Sequence, residues 1–159
     1  MIGALYRQAY RIAHRIRHRW RRWRGTPIEG VAIIARDLNG QVLLVRHSYG
    51  PQGWYFPSGG IKRGETRVDA AIRELREETG CEALGIQPVG RIEEELSGSP
   101  HTSHVFTATT HDTPRPDRRE IVEARFFPTH SLPEPLSPRT RARLELWQKP
   151  REDPGFRKA

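Results

Sequence analysis

Within "RELREETG", Arg73 to Gly80, three glutamates stand at positions 74, 77 and 78 beside two arginines. A helix turns by about 100° per residue and gathers positions i, i+3 and i+4 on one side, so these carboxylates repel one another unless a cation sits among them. The spacing alone leaves two readings open. One is a solvated acidic face balanced by Arg73 and Arg76 in i, i+4 pairs; the other is a site built for positive charge. The stretch in front adds weight to the second. "GWYFPSGGIKRGET" is a glycine-rich loop that delivers a further carboxylate, Glu65, just before the helix.

Those side chains need elements to hold them. Thr66 with Asp69 three residues later makes a capping box, and Gly80 is placed to end the helix in a left-handed conformation. On a helix over 66–79, Val68, Ala71, Ile72 and Leu75 are expected to face a core, with Glu74, Glu77 and Glu78 roughly opposite. Upstream, "VAIIA" at 31–35 and "VLLV" at 42–45 flank "DLNG", an Asn-Gly hairpin signal. A Gly-, Pro- and Ser-rich loop is expected from Ser48 to Gly64, and further strands near 91–95, 105–109 and 124–127. "SPRTRARLELWQ" supplies a last helix, with Ser137 as cap and Pro138 in its first turn. Strands interspersed with helices and no internal repeat predict a layered α/β domain.

Taken together, Gly59, Glu65, Arg73-Glu74-Leu75, Glu77-Glu78 and Gly80 resemble the signature of the Nudix hydrolases at every fixed position. Two neighbours depart from it: Ser58 stands where a glycine is usual, and Cys81 where an aliphatic residue is commoner. The resemblance covers roughly 28–147. It implies a mixed β-sheet sandwiched between helices, and hydrolysis of a diphosphate linkage in a nucleoside diphosphate derivative by water attack at phosphorus. It also implies Mg²⁺, with Mn²⁺ as a substitute, because a pyrophosphate must be neutralised before water can reach phosphorus and Mg²⁺ takes oxygen ligands. Glu77 and Glu78 are then the metal ligands, Glu74 a ligand or near one, and Arg73 orients a carboxylate such as Glu65. Glu120, in "DRREIVEARFF", resembles the additional loop glutamate of many relatives and joins the catalytic and metal set, with Asp117 and Glu123 competing for its role. Arg46 is assigned to a phosphate, Trp54 to stacking on a base, and Gly59 and Gly60 to substrate contact. The general base stays open among the glutamates. A Nudix-fold module that binds a nucleotide without cleaving it is the alternative, and the full set of glutamates speaks against it.

Composition sets the outer bounds. The 159 residues carry a net charge of +8, yet eight of the 27 basic residues are arginines within positions 1–24, where no acid occurs; the remaining 19 match the 19 acids. The chain therefore divides into a basic arm (1–25), a neutral domain (26–149) and a tail (150–159). In the arm, Leu5, Ala9, Ile12, Ile16, Trp20 and Trp23 recur at helical spacing, which predicts a basic amphipathic helix. Its partners are an anionic membrane surface, RNA, the domain itself or a second copy of the chain. One cysteine, Cys81, excludes an internal disulfide and a clustered-cysteine zinc site, which fits a cytoplasmic protein, with the arm allowing peripheral membrane contact. No nucleophile elbow surrounds Ser58, so a serine hydrolase is excluded.

Overall fold

The computed structural model describes residues 28–96 and 98–150; the expected arm helix and nearly all of the expected tail lie outside them. Six strands form one sheet: β1 (Ile28–Arg36), β2 (Val42–His47), β3 (Ser58–Gly60), β4 (Leu84–Leu96), β5 (Ser99–Thr109) and β6 (Ile121–Phe127). The main order is β4-β5-β1-β2-β6, with β3 paired to β1. β1 runs parallel to β5 over its whole length, from Ile28 opposite His101 to Arg36 opposite Thr109, and every other pairing is antiparallel. Two helices complete the domain, α1 (Arg67–Thr79) and α2 (Pro138–Gln148).

β1 is buried without interruption from Gly30 to Ala35, and β2 from Val42 to Val45. Continuous apolar runs of this kind belong to strands covered on both faces. On one face Val31, Ile33, Ala35 and Leu43 pack with Ala70, Ala71 and Leu75 of α1. On the other, Ile34, Val42 and Leu44 pack with Trp54, Phe56 and Leu136 and with Leu144 of α2. Burying a leucine such as Leu75 contributes about 1.5–3 kcal/mol, and alternation along each strand divides that gain between two cores.

The expected hairpin forms at its tip and then opens. Asp37 Oδ1 accepts the amides of Asn39 and Gln41 at 2.9 and 2.8 Å, and Gly40 takes a left-handed φ of 78°. Only Arg36 and Val42 pair directly. Beyond them the strands part, and Tyr55 to Gly60 wedge between: Tyr55 bridges Val45, while Ser58, Gly59 and Gly60 pair with Ala32, Val31 and Gly30. The stretch expected as loop over 48–64 therefore contains a strand, because diverging strands leave backbone groups that must be satisfied when buried.

The face of α1 also differs from expectation. Val68 is 38 % exposed, and Glu78, placed opposite the core by the sequence reading, is buried at 6 %. Position 78 lies seven residues from Ala71 and three from Leu75, so the core stripe of the helix runs into Glu78 rather than away from it.

Candidate functional site

Both ends of α1 are fixed as the sequence predicts. Thr66 accepts the amide of Asp69 through its side chain, and Gly80 closes the helix at φ 71° with its N–H on the carbonyl of Arg76. The loop before α1 is tied to it through one side chain. Arg73 Nε donates to Glu65 Oε1 at 2.6 Å, Nη1 donates to Glu74 at 2.6 Å and Glu77 at 3.1 Å, and Nη2 donates to the carbonyl of Gly60 at 2.8 Å. The guanidinium holds the Glu65 carboxyl down at about 2, and Glu65 in turn, with help from Glu74, raises the pKa of Arg73. Arg73 thus joins β3, the loop and α1 by a planar fork that a lysine could not reproduce.

β3 lies hard against the helix. A Cβ at Gly59 would stand 2.2 Å from the Glu74 carboxyl, so any side chain there displaces that carboxyl from its place beside Arg73. This gives Gly59 a steric reason that its place in the motif did not supply.

Beyond Arg73 the carboxylates gather. Glu74, Glu77 and Glu78 of α1, Asp117 and Glu120 of the loop before β6, and Ile121 line a cavity of about 250 Å³. Glu78 Oε2 is buried with no hydrogen-bond partner, and burial followed by the charges of Glu74 and Glu120 pushes its pKa well up, against one hydrogen bond from the Ser58 backbone. Burial also raises Glu74, with Glu77 and Glu120 adding to the shift against Arg73. Among the described residues no three such side chains are already drawn into a ligand set. Five carboxylates ring the space instead, of which Glu74 and Glu77 are also held by Arg73.

The donor chemistry fits a hard divalent cation. Oxygen-only ligands suit Mg²⁺, which keeps several waters and needs few protein groups. An orphaned buried carboxylate oxygen is costly unless something positive completes it. Lys62 approaches Glu77 at 3.5 Å from an exposed position and leaves Glu78 untouched.

The remaining candidates separate. Asp117 reaches the cavity, but its Oδ1 accepts the amides of Arg119, Glu120 and Ile121 at 2.9–3.1 Å, so it builds the loop that presents Glu120. Glu123 pairs instead with Arg46 at 3.3 Å on the β2–β6 ladder. Trp54, expected beside a base, is a core residue: its ring meets Phe127 edge-on at 4.8 Å, and Arg46 lies over it at 5.5 Å. Gly59 and Gly60 border a second cavity of about 120 Å³, lined also by Glu94, His101, Arg139 and Arg143.

Of that second group the sequence reading did not single out Glu94, Arg139 or Arg143. Arg143, 4 % exposed, donates to Glu94 at 3.0 Å and to Ser103 at 3.2 Å, and its Nε has no partner. His101 shares Glu94 Oε1 at 3.0 Å. The available signals were Arg139 and Arg143 at i, i+4 on α2 and the cross-strand pairing of Glu94 with His101, which needs the β4–β5 register to be seen.

A family model described as the NUDIX domain matches residues 26–147. An RNA pyrophosphohydrolase of Teredinibacter turnerae is 44 % identical over 57 residues, 36 % of this chain and 33 % of that protein. The matched segment thus spans about a third of that relative's length. Among solved structures, a MutT NUDIX hydrolase from Burkholderia pseudomallei aligns with a TM-score of 0.70 at 24 % identity, over 76 % of this chain and 98 % of that one. The NUDIX domain of Shewanella oneidensis NrtR, complexed with ADP ribose, aligns with a TM-score of 0.66 at 18 % identity, over 76 % and 86 %. At these identities the structural likeness speaks for the fold.

Proposed function

We propose, from the premise that this chain belongs to the NUDIX family, that it is a pyrophosphohydrolase acting on a nucleoside diphosphate derivative. The observation that carries the reading is Glu78 Oε2, buried and unpartnered inside a ring of carboxylates. Glu77, Glu78 and Glu120 would hold a divalent cation of the Mg²⁺ type, with Glu74 beside them. Bound there, that ion supplies the neutralisation of the pyrophosphate oxygens that lets water reach phosphorus. Arg73 fixes Glu74 and Glu65 and touches no substrate. A carboxylate of the same ring accepts the proton of the attacking water. The nucleoside part is assigned to the neighbouring cavity, where Gly59 and Gly60 admit close approach and Arg139 and Arg143 line the wall. Likeness to RNA pyrophosphohydrolases puts an RNA pyrophosphate end first among substrates, ahead of a nucleoside triphosphate or a nucleotide sugar.

The test is hydrolysis of that panel with Mg²⁺, scoring whether phosphate or pyrophosphate leaves. Glu77→Gln and Glu78→Gln should each lower turnover by a factor of about 100 to 10,000. Undiminished turnover in both variants contradicts the assignment of these glutamates, and nucleotide binding without turnover in the unmutated chain favours a nucleotide-binding module.

A further inference from the structure

The short segment that leaves β2 is attached to the loop bearing Glu120 at three points. The amide of Ser48 donates to the carbonyl of Glu120 at 2.8 Å, and its hydroxyl donates to the carbonyl of Arg119 at 2.8 Å. Beyond it, the Tyr49 hydroxyl donates to Glu120 Oε1. The first two contacts fix backbone; the third fixes the carboxylate.

Tyr49 is itself supported. His47 lies behind it with ring centroids 5.7 Å apart, and Tyr55 meets His47 edge-on at 5.2 Å, with its own hydroxyl on the Pro51 carbonyl at 3.0 Å. A tyrosine has two side-chain torsions, and packing of this kind settles both before any ligand arrives. From the other side, the three amides on Asp117 Oδ1 hold the backbone of the Glu120 loop. Glu120 is thereby gripped at its main chain and at one oxygen of its side chain, while it lines the acidic cavity.

We propose that Tyr49 is a positioning residue for the cation site: its hydroxyl occupies Oε1 of Glu120 and leaves the other oxygen for a divalent ion. This rests on the assignment of Glu120 as a ligand of that ion. Free glutamate side chains bind one ion through one oxygen or through both, and Mg²⁺ requires a near-octahedral set that a bidentate carboxylate distorts. A hydrogen bond that engages one oxygen selects the single-oxygen mode. It also removes the need to order the side chain at binding. Hydrogen bonds from outside the ligand set commonly change metal affinity by about 10- to 100-fold.

The experiment is Mn²⁺ titration of the full chain by calorimetry, with wild type, Tyr49→Phe, Glu120→Gln and the double variant, and thermal melting of each without metal. Tyr49→Phe keeps the ring and its packing and loses only the hydroxyl. The expected result is Mn²⁺ binding weakened about tenfold in Tyr49→Phe with an unshifted melt, and no further effect of that change once Glu120 is glutamine. Wild-type affinity in Tyr49→Phe, beside weakened binding in Glu120→Gln, overturns the role of Tyr49 and leaves the site intact. The same tenfold loss in the Glu120→Gln background also overturns it, because the hydroxyl would then act elsewhere. Unchanged Mn²⁺ binding in Glu120→Gln alone overturns the assignment of Glu120, and the inference falls with it.

Discussion

His47 shows how a single side chain sets a condition on the whole domain. Its Nδ1 is shut away from solvent without a partner, and burial lowers its pKa from 6.5 to about 4. Between those values the unfolded chain binds a proton that the folded one refuses, so stability falls as pH falls through this window, by about 3 kcal/mol in total. Glu65, held at about 2 by Arg73, acts in a lower window, losing its stabilising pairing only as pH falls below its ordinary range. His47→Phe keeps a ring beside Tyr49 and Tyr55 and removes the titration. Denaturant unfolding at pH 7 and pH 4.5 should differ less in this variant, by about 2 kcal/mol or more; an equal difference in both proteins would contradict the proton exclusion. Residues of this kind are hard to read from a sequence. Glu65, Arg73, Glu74, Glu77 and Glu78 were legible because a helix fixes their spacing and an arginine among acids has few other uses. The burial of Glu78 was available from the same 100° arithmetic and was assigned to the wrong side. Tyr49, Glu94 and Arg143 were not legible, since their partners lie 71, 49 and 40 positions away.

At the scale of elements, α1 owes its boundaries to local chemistry and its orientation to contacts made elsewhere. Gly80 at φ 71° has only the Arg115 carbonyl and Cβ near its absent side chain, at 3.6 and 3.7 Å. An added methyl therefore meets no clash, and the cost of Gly80→Ala is the left-handed backbone alone, about 1–2 kcal/mol. Equilibrium unfolding should show that loss, while Mn²⁺ affinity in the folded variant stays close to wild type because Arg73 still fixes Glu74. A loss well beyond that range would mean that the cap holds more than the helix end. Caps, hairpin tip and both helices were readable in advance because each depends on residues within four positions. β3 was not: its three residues carry no strand propensity, and they pair only because β1 and β2 part beside them. β4 ran longer than expected, from Leu84, with register shifts at Leu84/Gln87 and Pro88/Gly90 that carry Pro88 along an edge strand.

For the molecule as a whole, charge is partitioned. The eight arginines of residues 1–24 account for the entire excess of +8, and the remaining 19 basic and 19 acidic residues balance. Among the described residues no helix is long and apolar enough to cross a membrane. Deleting residues 1–25 should leave hydrolysis of a small nucleotide intact and abolish salt-sensitive binding to RNA or to anionic vesicles. Binding that persists in the shortened chain would move the attraction into the domain, and binding by neither protein would leave the arm without that role. Within the domain, the backbone of Ser58–Gly60 has the acidic helix on one side and the arginine-bearing chamber on the other. It is a party wall with no side chain at its centre to absorb a push. On the function proposed above, a guest of the wrong shape in one room would shift the furniture of the next, so that selectivity would be felt in how fast a bond is cut as much as in how tightly the guest is held.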